Sequence, residues 1–567
     1  MGDVLFLALR RLRAPLITII CVYAISVGGF TLVPGLDADG EPHRMTFFHA
    51  FYVMSYTATT IGFGELPFPF TDAQRLWLTF SIYLSVIAWA YSLGTVISLT
   101  NDTTFRAMLL RGMFNWRARN LSRRFYIICG YGQSGAALAR ALDRDGANVV
   151  IVEPRAERVA RIVLEDYITS PLALTADARL PDVLEDCGIH SPHCAGLLAL
   201  AGDDAVNQAI SIGARILNAG LPIITRAKAR DAQINLESFE DVRVINPFES
   251  FAENLRLTLV APEVLQAEEW LTGAQGSDCP ACVTLPRGHW VLVGFGRFGH
   301  AIAAMLDAEG VDWKAFDPAV IDESEKRLIH GVHAEGLLDN AAIGSAGVLV
   351  AGTSVDAVNL GITTLARRKR PGIFVIIRQN HAQDRALIEA ARADMNFVQS
   401  GLIMHECLQM LKTPMLGRFI ARMRADGTPL AKAAMDRIQE GSGDGAPLAW
   451  AFECDVMLPG MFAAFFQRAG EHLCISHLLA DPTGPDRRLA ASALMLERTG
   501  ETQVMPEDDT VLKPGDRILF VGRDEARMMQ TRYLYEPGTV AWVCSGREPP
   551  RSTVFRWWHE RSRSRPT

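Results

Sequence analysis

Thr59-Thr60-Ile61-Gly62-Phe63-Gly64-Glu65 lies between two uncharged runs long enough to cross a bilayer, and its reading decides the fold of the N-terminal region. Glycines at alternate positions let a loop take backbone angles that a Cβ resists. Consecutive carbonyls in such a loop can turn to one axis and replace the water shell of a dehydrated cation. Thr60 adds a hydroxyl at the base of this carbonyl ladder, and Ile61 and Phe63 are expected to turn outward into surrounding protein. The flanking runs have the length required. Pro15 to Val33 carries no charge and makes about 28 Å of helix at about 1.5 Å per residue, close to the ~30 Å hydrocarbon thickness. Leu76 to Leu99 is also uncharged and reaches about 36 Å on the same rise, so it must tilt or protrude. Met45 to Thr57 is apolar and aromatic but too short to span, which fits a re-entrant pore helix aiming its negative C-terminal end at a cation. One subunit cannot enclose a pore, so several copies must surround the axis.

Arg10, Arg11 and Arg13 precede the first run, and Arg106, Arg111, Arg117, Arg119, Arg123 and Arg124 follow the second. By the positive-inside bias, both termini are expected in the cytoplasm of a multi-pass protein of the inner (plasma) membrane. The outward loops carry Asp37, Asp39, Glu41, Glu65 and Asp72, diluted by His43, Arg44 and Arg75. A cleaved leader is the competing reading of residues 1–33, but a second apolar run and the Gly-rich loop follow it. Neither run carries arginines at every third position, so no voltage sensor of that kind is expected and control must come from elsewhere. We read 1–105 as the pore domain and 106–124 as a helical or taut linker, with Gly94 as a candidate gating hinge.

More than 400 of the 567 residues remain beyond the membrane region, enough for two or three soluble domains. A net charge of −7 gives no hint of nucleic-acid binding, and ten cysteines in a largely cytosolic chain argue for reduced thiols. This part repeats itself. Phe125-Tyr126-Ile127-Ile128-Cys129 reads as a buried strand, Gly130-Tyr131-Gly132-Gln133-Ser134-Gly135 opens a helix, and a second strand ends at Glu153. Trp290 to Val293, Gly294-Phe295-Gly296-Arg297-Phe298-Gly299 and a strand ending at Asp317 form the second copy. Gly130 to Gly294 and Glu153 to Asp317 are both 164 apart, whereas Asp204-Ala205-Val206-Asn207 and Arg226 recur as Asp356-Ala357-Val358-Asn359 and Arg378 at an offset of 152. Two such registers indicate tandem homologous βαβ domains, 125–272 and 289–440, joined by a connector at 273–288.

Each glycine motif sits between strand and helix with an acid 23 residues after its first glycine, the context a dinucleotide-binding fold requires. The first two glycines permit the tight turn and the approach of a pyrophosphate, the third lets helix and strand pack, and the helix N-terminus offers free N–H groups. Glu153 and Asp317 are expected to accept from ribose hydroxyls, which favours NAD or a simple adenine nucleotide over NADP. Arg297 adds a phosphate contact that Gln133 cannot match, so tighter binding is expected in the second copy. Gly441 to Pro447 reads as a flexible linker. Cys279-Pro280-Ala281-Cys282 and the group Cys187, His190, His193 and Cys194 have metal-ligating residue types, but a lone CxxC and an ordinary helix-to-strand loop leave no metal as the expectation.

The loop at 59–65 resembles the TVGYG signature of potassium channels, with Ile for Val, Phe for Tyr and Glu for the following Asp. Joined to GxGxxG domains that carry Asp-x-x-Asn and Arg features, it resembles prokaryotic two-transmembrane potassium channels with tandem RCK (KTN) regulatory domains. The loop Gly294-Phe295-Gly296-Arg297-Phe298-Gly299 is similar to the GxGRFG loop of TrkA-type subunits. The resemblance implies a homotetramer in the lipid bilayer with K⁺ as permeant ion, a filter of Thr60, Ile61, Gly62, Phe63 and Gly64, and a cytoplasmic ring that binds NAD, another adenine nucleotide or a divalent cation. It places the ligand against Gly130, Gly132, Gln133, Ser134, Gly135, Glu153 and Asp177 in one copy, and against Gly294, Gly296, Arg297, Phe298, Gly299, Asp317 and Glu335 in the other. Glu335 departs from the usual Gly-Asp. Residues 448–530 resemble the smaller RCK C-terminal subdomain, 531–567 read as a tail, and only the helical stretch from Phe248 to Leu271 follows the first copy.

The expected fold class is therefore an all-α membrane pore domain (two transmembrane helices and a pore helix) followed by α/β, with two tandem Rossmann-like domains and a small α+β C-terminal subdomain. No catalytic residues are expected. A membrane-tethered NAD-dependent oxidoreductase needs a proton- or hydride-handling group that no motif here supplies, and it leaves the Gly-rich loop unexplained. A nonselective cation channel with the same ring is the other alternative.

Overall fold

The computed structural model describes residues 2–239, 241–273, 275–317, 327–329, 338–466 and 472–545. Glu335 and the tail beyond 545 lie outside the described residues. The chain divides into two compact units, residues 1–125 with 150–163 and 170–194, and residues 126–149 with 164–169 and 195–567.

In the first unit, α1 (Gly2–Leu32) and α3 (Asp72–Asn101) are the two long apolar helices. Each contains a stretch long and apolar enough to cross a membrane, Leu12–Leu32 and Asp72–Ser98. They approach closely where α1 lacks a side chain. A Cβ on Gly29 would lie 2.0 Å from the Trp77 ring, and the Trp77 indole N–H donates to the Ser26 carbonyl at 2.9 Å. Between these helices come the antiparallel pair β1 (Pro34–Leu36) and β2 (Pro42–Arg44) and the short helix α2 (Phe47–Ala58). Thr46 caps α2 by accepting the His49 N–H at 3.4 Å, which satisfies one orphan donor of the first turn. Val27, Phe30, Met54 and Phe70 form a small core there. Ile20, Leu76, Phe80 and Ile87 leave large apolar surfaces exposed, as helices that face lipid or further copies must.

The expected linker is α4 (Thr103–Arg119). Gly94 sits in unbroken helix with open space around it. The helical run is interrupted at Asp102, whose carboxylate caps α4 by accepting the Phe105 N–H at 3.1 Å. Arg111 pairs with Asp186, and Asn115 donates to the same carboxylate at 2.5 Å, tying α4 to the short helix that ends there (Pro181–Asp186).

The two α/β copies have parallel strands with buried faces, as near-continuous apolar runs require. In the first copy these are β3 (Phe125–Cys129), β4 (Asn148–Val152), β5 (Leu172–Leu174), β6 (Cys194–Ala199), β7 (Ile223–Arg226) and β8 (Val242–Ile245). β4 pairs with β5, β6 with β7 and β7 with β8, and the Leu200 N–H donates to the Cys129 carbonyl at 2.8 Å. In the second copy, β9 (Trp290–Val293), β10 (Trp313–Phe316), β11 (Leu328–Ile329), β12 (Val348–Ala351), β13 (Phe374–Gln379) and β14 (Met395–Val398) stand in the order β11-β10-β9-β12-β13-β14. This is the doubly wound order, whose direction of travel reverses between β9 and β12 and opens a crevice at their C-terminal ends.

Each copy's trailing helix packs on the other copy's first helix. The helix Pro247–Val260 lies on Arg297–Ala308, where Phe248 and Phe251 meet Phe298 and Phe397. Reciprocally, the helix Gln399–Lys412 lies on Gln133–Arg144. The C-terminal subdomain is an antiparallel sheet of β15 (Leu448–Glu453), β16 (Ala491–Arg498), β17 (Glu501–Val504) and β18 (Arg517–Gly522), in the order β15-β18-β16-β17. Its core includes Tyr533 and Val540, so the subdomain runs past the expected limit of 530.

The reading of Gly441 to Pro447 as a flexible linker is corrected. Gly441 and Ser442 end the helix Thr428–Ser442. Ala446 then donates to the Ser277 carbonyl at 2.7 Å and accepts the Gly276 N–H at 2.9 Å. The segment is fixed because its backbone polar groups pair with those of the inter-copy connector.

Candidate functional site

The filter loop has a regular alternation. Thr60 (φ 64°), Gly62 (φ 64°) and Gly64 (φ 90°) are left-handed, and the residues between them are not. Such alternation turns successive carbonyls toward the same side, as an ion-coordinating ladder needs. A left-handed Thr60 is strained for a residue with a Cβ. The loop amides supply the compensating bonds. Ile61 and Gly62 N–H donate to the Tyr56 carbonyl at 2.9 and 3.3 Å, and Thr60 N–H donates to that of Thr57 at 3.1 Å, so the donors are spent on the end of α2. Phe63 turns to the aromatic side of that helix, stacked on Tyr52 with centroids 6.2 Å apart and edge-on to Tyr56 at 5.7 Å. The acid that follows the loop is paired. Arg75 grips Glu65 through two bonds of 2.8 and 3.1 Å.

The glycine loops of the two copies are built alike. Gly130 (φ 104°) and Gly294 (φ 92°) take left-handed angles, and a Cβ on either would lie about 3 Å from the backbone of Ala201 or Thr353 across the crevice. At Gly135 and Gly299 it would fall 2.0 and 2.3 Å from the carbonyl oxygens of Gly130 and Gly294, which is the helix-on-strand approach expected of the third glycine. A Cβ on Gly296 meets nothing within 4 Å, leaving the space that a phosphate needs. The helices beginning at Gln133 and Arg297 have glycine N-caps with no side-chain cap, so their first-turn amides keep the capacity to bind an anion.

The acids behave differently from one another. Asp317 accepts the Phe295 N–H at 2.7 Å and so braces its own loop. Glu153 is buried and engaged by the Arg155 N–H at 3.3 Å and the Arg158 guanidinium at 3.5 Å. Asp177 is held below the usual carboxylate range by side-chain and backbone bonds from Arg179. Phe298 is a correction to the ligand set. Its ring is buried among Phe248, Phe251 and Phe397, stacked at 4.8 Å on the last, because the first turn of its helix points that position into the core. Ser134 is buried as well.

The repeated Asp-x-x-Asn proves to be a structural clasp, a role its sequence did not reveal. Asn207 accepts the Ala201 N–H at 2.7 Å and donates to the carbonyls of Ala201 and Arg226 at 3.0 and 2.9 Å. Asn359 makes the same set with Thr353 and Arg378, at 2.9, 3.0 and 2.9 Å. The aspartates accept backbone N–H groups beyond the next strand, Asp204 from Lys228 and Ala229, Asp356 from Asn380 and His381.

The two glycine loops also reach the opposite copies. The Gln133 side chain donates to the Asn380 carbonyl at 3.2 Å, and Arg297 lies 3.8 Å from the Asp204 carboxylate. Lys228 is pushed down to about 8 by burial and then by the cations of Arg226, Arg297 and Arg378. Burial also lowers the guanidinium values of Arg226 and Arg378, so this crevice favours negative charge. Among the described residues, Asp356, His381 and Asp384 form the group whose ligand atoms, all within 4.8 Å of one another, have metal-binding character. The cysteine clusters bring no such group together there.

Fold and sites together define a membrane pore module followed by two Rossmann-type domains. Residues 17–101 match the ion channel family, and residues 126–247 and 290–399 match the TrkA-N domain. The chain is 26% identical over 221 residues to potassium channel protein 1 of Methanocaldococcus jannaschii, covering 39% of this chain and 64% of that one. It is 32% identical over 146 residues to a Trk system potassium uptake protein TrkA homolog of Pyrococcus horikoshii, covering 24% of this chain and 60% of the relative. It thus spans less than two thirds of the length of these relatives. The solved GsuK channel aligns with 94% of this chain and 99% of its own at 15% identity and a TM-score of 0.49. The chain thus carries an ion channel segment followed by two TrkA-N domains.

Proposed function

We propose that this protein is a ligand-gated, potassium-selective channel that works as a homotetramer in the inner membrane with both termini cytoplasmic. The observation that carries the reading is the alternating left-handed backbone at Thr60, Gly62 and Gly64, with the loop amides tied to α2. A ring of four such loops offers a dehydrated K⁺ stacked carbonyl cages. The regulatory ligand is NAD or another adenine nucleotide, its phosphates over Gly296 and the first turn after it, with Arg297 as counter-charge. A ligand shifts the pore only by binding one ring geometry better than another. The contact of α4 with Asp186 is the route by which that difference reaches the membrane helices. The protein is not an enzyme on this reading. A regulatory divalent cation is the competing ligand, supported by the grouping of Asp356, His381 and Asp384.

Planar-bilayer recording of the purified full chain tests both halves. Reversal potentials in mixed K⁺ and Na⁺ should lie near the K⁺ equilibrium value, and a value midway between the two would establish the nonselective alternative. NAD⁺, NADH, ATP, ADP and Ca²⁺ applied to the cytoplasmic face should include one that changes open probability, and Gly296→Asp should abolish the response to a nucleotide. If none binds or acts, the regulatory half is wrong.

A further inference from the structure

Helix α4 has two unlike faces. Toward the protein it buries Phe114 and Ala118, and Arg111 and Asn115 on that side hold the Asp186 carboxylate. The opposite face has no such cover. At about 100° per residue, Arg106, Leu109, Leu110, Met113, Trp116 and Arg117 fall within one sector about 120° wide. Leu110 is 61% exposed, Met113 50% and Trp116 58%. The side chains of Arg106 and Arg117 meet no partner among the described residues. A contiguous exposed apolar strip of this kind marks a docking face. Its place in the chain says what covers it. The membrane-length stretch of α3 ends at Ser98, and α4 begins five residues later, past the interruption at Asp102. No acid occurs between Thr103 and Arg124, so a second copy that met this face with its own α4 would set guanidinium against guanidinium.

We propose that α4 lies in the cytoplasmic headgroup layer, with Leu109, Leu110, Met113 and Trp116 against the upper acyl chains and Arg106 and Arg117 on the phosphates of anionic lipids. The proposal rests on the reading of α3 as a membrane span. An anionic surface removes the charge conflict that another copy creates. Guanidinium forks match phosphate oxygens, arginine stems lie along apolar surface while their charge stays in the headgroups, and an indole ring favours the same layer. One helix then meets lipid on one face and Asp186 on the other. Headgroup charge therefore acts on the segment that joins the apolar helices to the first Rossmann copy.

The test is tryptophan fluorescence of the full chain in phosphatidylcholine vesicles, quenched by a minority lipid with bromine high on its acyl chains. That lipid is phosphatidylglycerol in one series and phosphatidylcholine in the other. The Trp116 signal is the difference between the wild type and Trp116→Phe. It should be quenched by both lipids, with a preference for phosphatidylglycerol of about fivefold for each arginine. Arg106→Gln combined with Arg117→Gln should abolish the preference while the other tryptophans keep their quenching. A Trp116 signal that neither lipid quenches overturns the proposal and leaves the face to water or to another copy. Equal quenching by the two lipids in the wild type, or a preference that survives both substitutions, overturns it as well. If no tryptophan is quenched, Trp77 and Trp89 of α3 included, the membrane reading itself is wrong. Leu110→Trp places a second reporter on the same face and decides alone if Trp116→Phe does not fold, an unquenched added signal defeating the proposal.

Discussion

The two Rossmann copies share their scaffold bonds and differ in their charges. The clasps of Asn207 and Asn359 share their three bonds to backbone groups, to which Asn359 adds one from the Thr353 hydroxyl at 2.7 Å, and a Cβ on either third glycine would approach its carbonyl to within a few tenths of an ångström of the same distance. Yet where one glycine loop carries Gln133, the other carries Arg297. Asp317 braces its own loop while Glu153 is bound to arginine. Bonds that hold the fold are present in duplicate, and the polar groups on the glycine loops differ. The difference points to two lobes with one framework and unequal tasks.

The comparison can be broken most directly at the clasps. Asn207→Leu removes three bonds and Asn359→Leu four, and each strands buried backbone groups, so each should lower local stability by about 3 kcal/mol. Amide hydrogen exchange on the purified full chain would read this, and unequal losses would mean that the frameworks are not equivalent. Next come the third glycines. Gly135→Ala and Gly299→Ala force a methyl against a carbonyl, an overpacking cost of about 2 kcal/mol, with equal shifts again expected by the same measurement. Smaller and deliberately unequal effects are expected from the loop side chains. Arg297→Gln should weaken nucleotide binding about tenfold in titration calorimetry, a typical loss for one charge-assisted contact, whereas Gln133→Ala should change it little. Equal effects would show that both copies bind.

A separate effect is a pH dependence. The Lys228 amine is held near 8 in the folded crevice against 10.5 for an ordinary lysine. Between those values the unfolded chain binds a proton that the folded chain does not, so stability from this group rises with pH across that window. The penalty is fully present below about pH 8. Exchange-derived stability should therefore climb from pH 8 to 10 more steeply in the wild type than in Lys228→Met. Filling the crevice with an anion should raise the amine's value, so nucleotide binding near pH 8 should take up protons.

Much of this was legible before any coordinates. Uncharged runs of fixed length, a loop with alternate glycines and two offsets of 164 and 152 follow from local rules of span, backbone freedom and repetition. The roles of particular side chains were harder to read. Phe298 lies inside a motif whose neighbours face ligand, and only the turn of its helix sends it to the core. The Asp-x-x-Asn repeat was visible as a pattern, but a pattern carries no partner, and its bonds run to backbone groups as far as 25 residues away. Gly441 to Pro447 had the composition of a linker and is fixed by pairing with a segment more than 160 residues earlier.

By itself, then, the sequence determined the classes of element: two long apolar helices, the Gly-rich loop between them and tandem Rossmann-like folds. Each rests on interactions within a few residues or on a period that the chain displays openly. Tertiary structure alone decided that Tyr56 meets the Gly64 carbonyl and Arg75 the Glu65 carboxylate, that Asp186 receives α4, and that each glycine loop reaches across to the other copy. Those pairings join distant parts of the chain, and their partners are chosen by packing in three dimensions rather than by neighbours in sequence.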